Sequence, residues 1–170
     1  DATRYLMLSR SQDQPIDFDI EVAKKKDASN PVYYVQYAHA RICSILRKAA
    51  PAGDAEAVVA GTKSMDELIE KLFADEADLS LLTHESEIAL MRKMSEFGEL
   101  VSDAARDRAA FRLTHYAQDL ASLFHSFYTN CHVIGEEEAV TNARLALVDA
   151  TRIVLAKTLD LLGVSAPAKM

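Results

Sequence analysis

The sequence predicts an all-α fold in which several helices pack as a bundle. Glycine and proline, the residues that most strongly interrupt helices, occur only five and four times in 170 residues. No stretch alternates Val, Ile or Thr with polar residues in the way that a half-buried strand does. Because 49% of the residues are hydrophobic, the chain can bury one substantial core. We therefore expect one compact helical domain with appendages.

The first part of the chain is interpreted as a connector that leads into this bundle. A helix is predicted over residues 1–11, and Asp19 is a suitable N-cap for a second, short helix. Because the chain opens with Asp1 rather than Met, with a helical pattern already under way, we expect it to be a piece of a longer protein. The predicted domain organisation is a connector over 1–28 and a helical bundle over 29–170.

A long helix is predicted from Asn30 to about Ala50. The Asn30 side chain can accept hydrogen bonds from the free N–H groups of the first turn, and Pro31 has no N–H to satisfy at the first helical position. The helix is expected to end before Pro51. Residues 51–64 are rich in small residues and are predicted to be a loop, with room for one weak helical turn around 55–59.

The rest of the chain is predicted to be helical as well. The expected helices cover residues 66–73, 83–97, 99–108, a long stretch from there to about 131, and 137–162. Thr83 is the predicted N-cap of the second, Gly98 interrupts the chain between the second and third, and Gly163 caps the last helix at its C-terminus. The last helix carries apolar residues nearly all round, which is typical of a helix packed on several sides.

Charge and cysteine usage limit the classes of function. A net charge of -7 argues against a protein that holds nucleic acid everywhere through phosphates, so any such contact must be local. The acidic group of Asp75, Glu76 and Asp78 is interpreted as a solvated helix end. Cys43 and Cys131 fall on apolar helix faces without neighbouring ligands, which favours a reducing cytoplasm. No apolar run approaches the roughly 20 residues of a membrane span, so a soluble protein is expected.

The helix over residues 31–49 has two distinct faces. Its predicted core stripe consists of Val32, Val35, His39, Ile42, Leu46 and Ala49. The opposite face consists of Tyr33, Tyr34, Tyr37, Arg41, Arg47 and Lys48. Aromatic rings accept stacked bases and nearby cations meet phosphates, so this face is a candidate RNA-binding surface. The alternative, equally weighted, is that the tyrosines pack on neighbouring helices. We interpret His39 as a satisfied core histidine.

A second candidate surface lies at the end of the helix over residues 110–132. Its predicted core stripe consists of Leu113, Tyr116, Ala117, Leu120, Leu123, Phe124, Phe127 and Cys131. Tyr128 and His132 share its flank at i, i+4 spacing and could form a stacking platform, although core packing is the stronger alternative here. His115 falls on the opposite side from Tyr128, and no carboxylate or cysteine completes a metal-ligand set. We predict neither a metal site nor catalytic residues.

Four segments, in chain order, carry a family resemblance. They read DATRYLMLSRSQDQPIDFDIEVA at 1–23, NPVYYVQYAHARICSIL at 30–46, LTHYAQDLASLFHSFYTNCHV at 113–133 and ARLALVDATRIVLAKTLDLLGVSAP at 143–167. The second resembles the helix that opens the anticodon-binding domain of bacterial-type arginyl-tRNA synthetases. The first is similar to the link after their catalytic domain, and the last two resemble the rest of the anticodon-binding domain. Only residues 51–82 add nothing to the resemblance.

The resemblance implies a helical bundle of the class I synthetase anticodon-binding type. Such a domain binds the anticodon stem-loop of arginine tRNA and positions the tRNA for ATP-dependent aminoacylation by a catalytic domain of the same chain. The parent would be a cytoplasmic arginine–tRNA ligase that uses ATP and Mg²⁺. This fragment alone would be catalytically inactive, with no cofactor of its own and neither a membrane nor DNA as a partner.

Matching positions assign the anticodon-binding residues that the resemblance implies. They are Tyr34, Tyr37, Arg41, Tyr128, His132 and Met170. Tyr37 and Tyr128 would stack on bases, and Arg41 would meet a phosphate or a base edge. Met170 and its terminal carboxylate would border the pocket for the central anticodon base. Ala168 stands where the family usually has an acidic residue, and Lys157-Thr158 stands where Asn-Gly is common.

Two other functions fit the residue patterns. A helical interaction or dimerisation module without RNA binding would also be acidic and bundle-forming. The equivalent domain of a sibling class I synthetase would bind a different tRNA. Selective binding of an arginine-tRNA anticodon stem-loop would separate the main interpretation from the first alternative, and the anticodon preference would separate it from the second.

Overall fold

The computed structural model of this chain describes residues 1–11, 13–15, 18–73 and 77–170. These residues form α1 (Ala2–Leu8), α2 (Ile20–Lys24), α3 (Pro31–Ala49), α4 (Ala52–Val59), α5 (Met65–Leu72), a 3-10 turn (Leu79–Leu81), α6 (Glu85–Ser95), α7 (Phe97–Arg106), α8 (Phe111–Asn130) and α9 (Glu138–Leu161). No strand occurs within the described ranges. The predicted all-α fold is therefore confirmed.

The core of the bundle lies between α3, α8 and α9, and α6 packs against α8 and α9. Its fully buried side chains include Val35, Ile42, Leu46, Leu90, Leu120, Phe124, Phe127, Val148, Leu155 and Leu159. The predicted core stripes of α3 and α8 are confirmed, except that Ala49 and Leu123 are only partly buried. On α9, Ile153 and Leu161 are exposed, so this helix is packed on fewer sides than its composition suggested.

The predicted connector contains one docked helix and one exposed helix. Tyr5 of α1 is fully buried, and its hydroxyl donates to the Thr114 carbonyl of α8 at 2.8 Å. In α2 no residue is buried, and its predicted N-cap is confirmed because the Asp19 carboxylate accepts from two amides of the first turn. The division between residues 1–28 and 29–170 stays a prediction.

The capping role predicted for Asn30 is wrong. Asn30 is the N-cap residue of α3 by position, but its side chain makes no capping hydrogen bond. Its amide instead donates backwards, to the carbonyl of Ala23 at 3.2 Å and to that of Lys25 at 2.9 Å. The side chain therefore fastens the end of α2 to the start of α3.

The predicted loop at 51–64 is wrong over 52–59, where the eight-residue helix α4 lies, and the helical turn expected around 55–59 is part of α4. No α4 residue is buried. The Asp54 carboxylate binds Lys63 and, at 3.1 Å, Lys71, and these ion pairs connect α4 to α5 and to the turn between them. Lys63 and Lys71, which follow α4 in the chain, thus contribute to the stability of this helix.

The boundaries of the next two helices differ from the prediction. The N-cap of α6 is His84 rather than Thr83, and Glu87 completes a reciprocal capping box with it. The break before α7 falls at Glu96, while Gly98 lies inside α7 in an ordinary helical conformation. Of the acidic group, Asp78 caps the 3-10 turn, while residues 75–76 lie outside the described part of the chain.

The C-terminal end of α9 agrees with the prediction. Gly163 follows the helix with φ of 63°, the left-handed conformation that glycine adopts without strain. Beyond Gly163, residues 164–170 run without regular structure along α3. Among the described helices, none is long and apolar enough to cross a membrane.

Candidate nucleic-acid interface

The side-by-side packing of α3 and α8 places Arg41 against two tyrosines. The guanidinium carbon of Arg41 lies 4.9 Å from the centre of the Tyr37 ring and 5.2 Å from that of Tyr128. One Arg41 nitrogen also donates to the Tyr37 hydroxyl at 2.6 Å. Tyr37 is 37% and Tyr128 39% exposed, so both rings keep surface available to a ligand. Cation–π contacts hold this trio, which consists of Arg41, Tyr37 and Tyr128, in a fixed arrangement.

Further aromatic rings extend this trio along α3. Tyr33 stacks on Tyr37, with ring centres 6.4 Å apart and planes at 10°. The half-buried His125 ring of α8 lies 5.1 Å from Tyr34 and 6.1 Å from Tyr37. Burial, reinforced by the positive charge of Arg41, lowers the pKa of His125, so the imidazole is neutral near pH 7. Tyr34 is partly buried against the core, whereas Tyr37 is exposed, so packing accounts for much of the Tyr34 ring and less of the Tyr37 ring.

A groove of about 440 Å³ opens between the trio and α4. Its lining residues are Tyr37, Ala40, Arg41, Ser44, Ile45, Arg47, Lys48, Val59, Tyr128, Lys169 and Met170. None of these described lining residues is Asp or Glu, and four of them are Lys or Arg. A chain of net charge -7 therefore presents a locally basic groove with aromatic walls. Such a groove can attract the phosphates and stack the bases of single-stranded RNA.

The segment 164–170 reaches this groove because α3 side chains hold its backbone. The Gln36 amide donates to the Ser165 carbonyl at 2.9 Å. The His39 Nδ1–H donates to the Pro167 carbonyl, also at 2.9 Å. The Arg47 guanidinium donates to the Ala168 carbonyl at 3.0 Å. Met170 then lies at the groove with half of its surface exposed.

His39 is buried, as predicted, but it is only half satisfied. Its Nε2 atom is buried and has no hydrogen-bond partner among the described residues. Because the Pro167 carbonyl can only accept, Nδ1 must carry the proton and Nε2 is left as an unpaired acceptor. Burial and the nearby Arg152 charge lower the pKa of His39, which keeps the ring neutral.

The structure does not bring all six sequence-predicted site residues together. Tyr37, Arg41, Tyr128 and Met170 share the groove, and Tyr34 lines an adjoining depression with His125. His132 lies beyond the end of α8 and lines neither of these. Its side chain is exposed, and its carbonyl accepts from Arg144 at 2.8 Å.

Sequence reasoning did not single out Gln36 or Lys169. Gln36 is buried on the side of α3 that meets residue 165, and a glutamine beside a core stripe is a signal for a tertiary hydrogen bond. No local sequence pattern identifies Lys169 as a groove residue, because its position depends on the path of residues 164–170, which have no regular secondary structure.

Comparison with known proteins gives consistent matches. A family model described as the DALR anticodon binding domain matches residues 35–170. Arginine–tRNA ligases of Symbiobacterium thermophilum and Dehalococcoides mccartyi strain CBDB1 are each 48% identical over all 170 residues, which are 28% and 27% of those proteins. The chain therefore spans little more than a quarter of these relatives. The solved Thermus thermophilus arginyl-tRNA synthetase superposes with a TM-score of 0.78 at 32% identity, over 99% of this chain and 26% of that one.

Proposed function

Because the chain belongs to the DALR anticodon-binding domain family, we propose that it binds the anticodon stem-loop of arginine tRNA. The binding surface is the groove lined by Tyr37, Arg41, Tyr128 and Met170. The observation that carries the proposal is the position of Arg41, which lies over two partly exposed tyrosine rings contributed by different helices. The similarity to proteins named arginine–tRNA ligase supports arginine tRNA over a sibling tRNA.

The chemistry of the groove fits an unstacked RNA loop. Anticodon bases can stack on Tyr37 and Tyr128, and each stacked base contributes roughly 1–3 kcal/mol in comparable proteins. Arg41 is fixed between the rings and offers its remaining N–H groups to a base edge or a phosphate. Tyr34, in the adjoining depression, and His132, which lies outside both the groove and the depression, are proposed as further contacts.

The cations around the rings provide the electrostatic part of binding. Arg47, Lys48 and Lys169 line the same groove as the tyrosines. Phosphates on either side of a stacked base would lie within reach of these side chains, and each contact would release a counterion. Binding should therefore be salt-dependent despite the acidic net charge of the chain.

In the longer protein, this domain would position tRNA for a separate catalytic domain. We propose that the parent is an arginine–tRNA ligase and that ATP and Mg²⁺ bind in that catalytic domain rather than here. The 170-residue chain alone should then bind tRNA without aminoacylating it. The cytoplasmic location inferred from the two buried thiols remains part of this proposal.

The test is a titration of the chain with arginine-tRNA anticodon stem-loops at moderate salt. One stem-loop carries the cognate anticodon and the other a changed central base. We expect a cognate preference that falls in Tyr37→Ala and Tyr128→Ala, by the roughly 1–3 kcal/mol of one stacked base. Ile153→Ala, which changes an exposed side chain of α9, is the matched control and should bind like the unsubstituted 170-residue chain.

The contrary result is equal affinity for both stem-loops, unaffected by the two tyrosine substitutions. Since the relatives are longer than this chain, the titration is repeated in the longer protein. Equal affinity there as well would show that the tyrosines serve packing only, as in a helical interaction module. A preference for the anticodon of another amino acid would assign the chain to a sibling synthetase.

A further inference from the structure

Two buried polar side chains of α3 are directed at the backbone of the C-terminal segment, not at the groove. Gln36 and His39 lie one turn apart, and their donors meet the carbonyls of Ser165 and Pro167 at 2.9 Å each. Neither side chain lines the groove that contains Tyr37 and Tyr128. These two side chains are therefore not positioned to contact RNA in this groove.

Core packing alone does not explain why position 39 is a histidine. Buried Nε2 has no partner among the described residues, and an unpaired buried polar atom is unfavourable. A leucine would fill a similar space without an unpaired atom. The hydrogen bond from Nδ1 to Pro167 is the interaction that only the polar ring provides.

Segment 164–170 depends on such contacts for its position. It has no regular secondary structure, and Gly163 turns the chain away from α9 just before it. Val164 is buried and anchors the start, while Met170 at the far end is half exposed. Between these two residues, α3 side chains hold the carbonyls of residues 165, 167 and 168, and the Asp1 carboxylate also accepts from Ser165.

We propose that Gln36 and His39 are positioning residues for RNA recognition: they fix segment 164–170 and thereby hold Met170 in the groove that Tyr37 and Tyr128 also line. The inference rests on the proposed function, because it assigns a role in the same groove. It predicts that two side chains outside the groove control discrimination between anticodon bases.

The test uses substitutions that remove or retain the donor. His39→Leu and Gln36→Met remove the hydrogen bonds with little change of volume. His39→Asn keeps an N–H at a position equivalent to Nδ1. We expect His39→Leu and Gln36→Met to weaken cognate stem-loop binding roughly twofold to thirtyfold, the range for residues that affect binding without contacting the ligand, and His39→Asn to restore most of it.

A shortened chain that ends at Pro167 separates positioning from general destabilisation. In that background the residue being positioned is gone, so His39→Leu should cause no further loss of affinity or of base preference. Leu90→Ala, a buried change on α6, is the control for stability and should lower Tm without changing base preference.

The outcomes distinguish this inference from the proposed function. If Tyr37→Ala lowers binding but His39→Leu and Gln36→Met bind like the parent, the positioning role is wrong and the RNA site stands. An equal loss from His39→Leu in the complete and shortened chains also overturns the positioning role. If Tyr37→Ala has no effect either, in this chain and in the longer protein, the proposed function itself has failed.

Discussion

The Glu87 carboxylate, which is 1% exposed, accepts the Nε–H of Arg144 at 2.7 Å. Its second oxygen accepts the backbone N–H of His84 at 2.8 Å, and Arg144 also donates to the His132 carbonyl. One ion pair thus joins the start of α6, the connection between α8 and α9, and α9 itself. It holds the chain just after Tyr128, at the edge of the proposed RNA surface.

Removing either partner of this pair should destabilise the bundle. Arg144→Ala is expected to lower the free energy of unfolding by about 3 kcal/mol, because the Glu87 carboxylate stays buried without its charged partner. Glu87→Ala should cost less, because Arg144 keeps the Glu136 carboxylate at 3.8 Å and the His132 carbonyl at 2.8 Å. The double variant should lose less than the sum of the two. Urea denaturation of all four proteins measures this coupling, and strictly additive losses would contradict it.

The Tyr5 hydroxyl should make the bundle sensitive to alkaline pH. Burial raises the pKa of Tyr5 to about 12, so its contribution to stability is complete below pH 10 and is lost as pH rises through about 12. Tyr5→Phe should be less stable by about 1 kcal/mol at pH 8. By pH 11 the free energy of unfolding of the unsubstituted chain should have fallen by about 1.4 kcal/mol more than that of the variant. Urea denaturation at both pH values compares the two, and parallel pH profiles would argue against this role.

His39 should make the bundle sensitive to acid in the opposite sense. Its folded-state pKa is lowered by burial and by Arg152, so its contribution is present above the unfolded value of 6.5 and is lost as pH falls through the folded value. His39→Asn keeps the donor and cannot titrate. Between pH 7.5 and 5, the parent should lose more unfolding free energy than the variant, in urea denaturation at each pH. A steeper loss in the variant would refute the assignment.

Substitution by alanine should lower the stability of the bundle at Gly163 and raise it at Gly98. Gly163 has φ of 63°, and an added Cβ would lie 2.6 Å from an Arg4 nitrogen, so Gly163→Ala should cost about 1–2 kcal/mol from the backbone alone. Gly98 is helical with open space around it, and Gly98→Ala should stabilise by up to about 1 kcal/mol. Thermal unfolding of the pair checks the prediction, which fails if both shift Tm in the same direction.

Lys48 should contribute to the salt dependence of RNA binding. It is exposed and lines the groove beside Arg47. Lys48→Ala should reduce the slope of log affinity against log salt by about 0.7, the value for one phosphate contact on a single strand. Lys157→Ala removes an exposed lysine of α9 that pairs with Asp160, and should leave the slope unchanged. Equal slopes for the parent and Lys48→Ala would exclude a phosphate contact at this residue.

Local signals in the sequence were sufficient for much of the fold. The core stripes of α3 and α8, the Asp19 cap and the turn at Gly163 all follow from residue spacing and backbone preference. In two places where prediction failed, at Asn30 and at α4, contacts outside the predicted element contribute to the outcome. Asn30 uses its amide on α2 rather than on its own helix, and α4 is linked through Asp54 to lysines that follow it in the chain.

The candidate site was predictable only in part, for a similar reason. The i, i+4 spacing of Tyr37 and Arg41 places both on one face of α3, and local reasoning found it. That Tyr128 should meet Arg41 depends on the pairing of α3 with α8, which spacing within one helix cannot give. The place of Met170 depends on seven residues without regular structure, and local pattern carries no information on their path.

The hydrogen bonds to segment 164–170 make few demands on the side chains of positions 167 and 168. His39 and Arg47 bind main-chain carbonyls, which every residue possesses, so the identity of these two side chains is largely irrelevant to anchoring. At these two positions the path of the segment is encoded by the donors on α3 rather than by the segment itself.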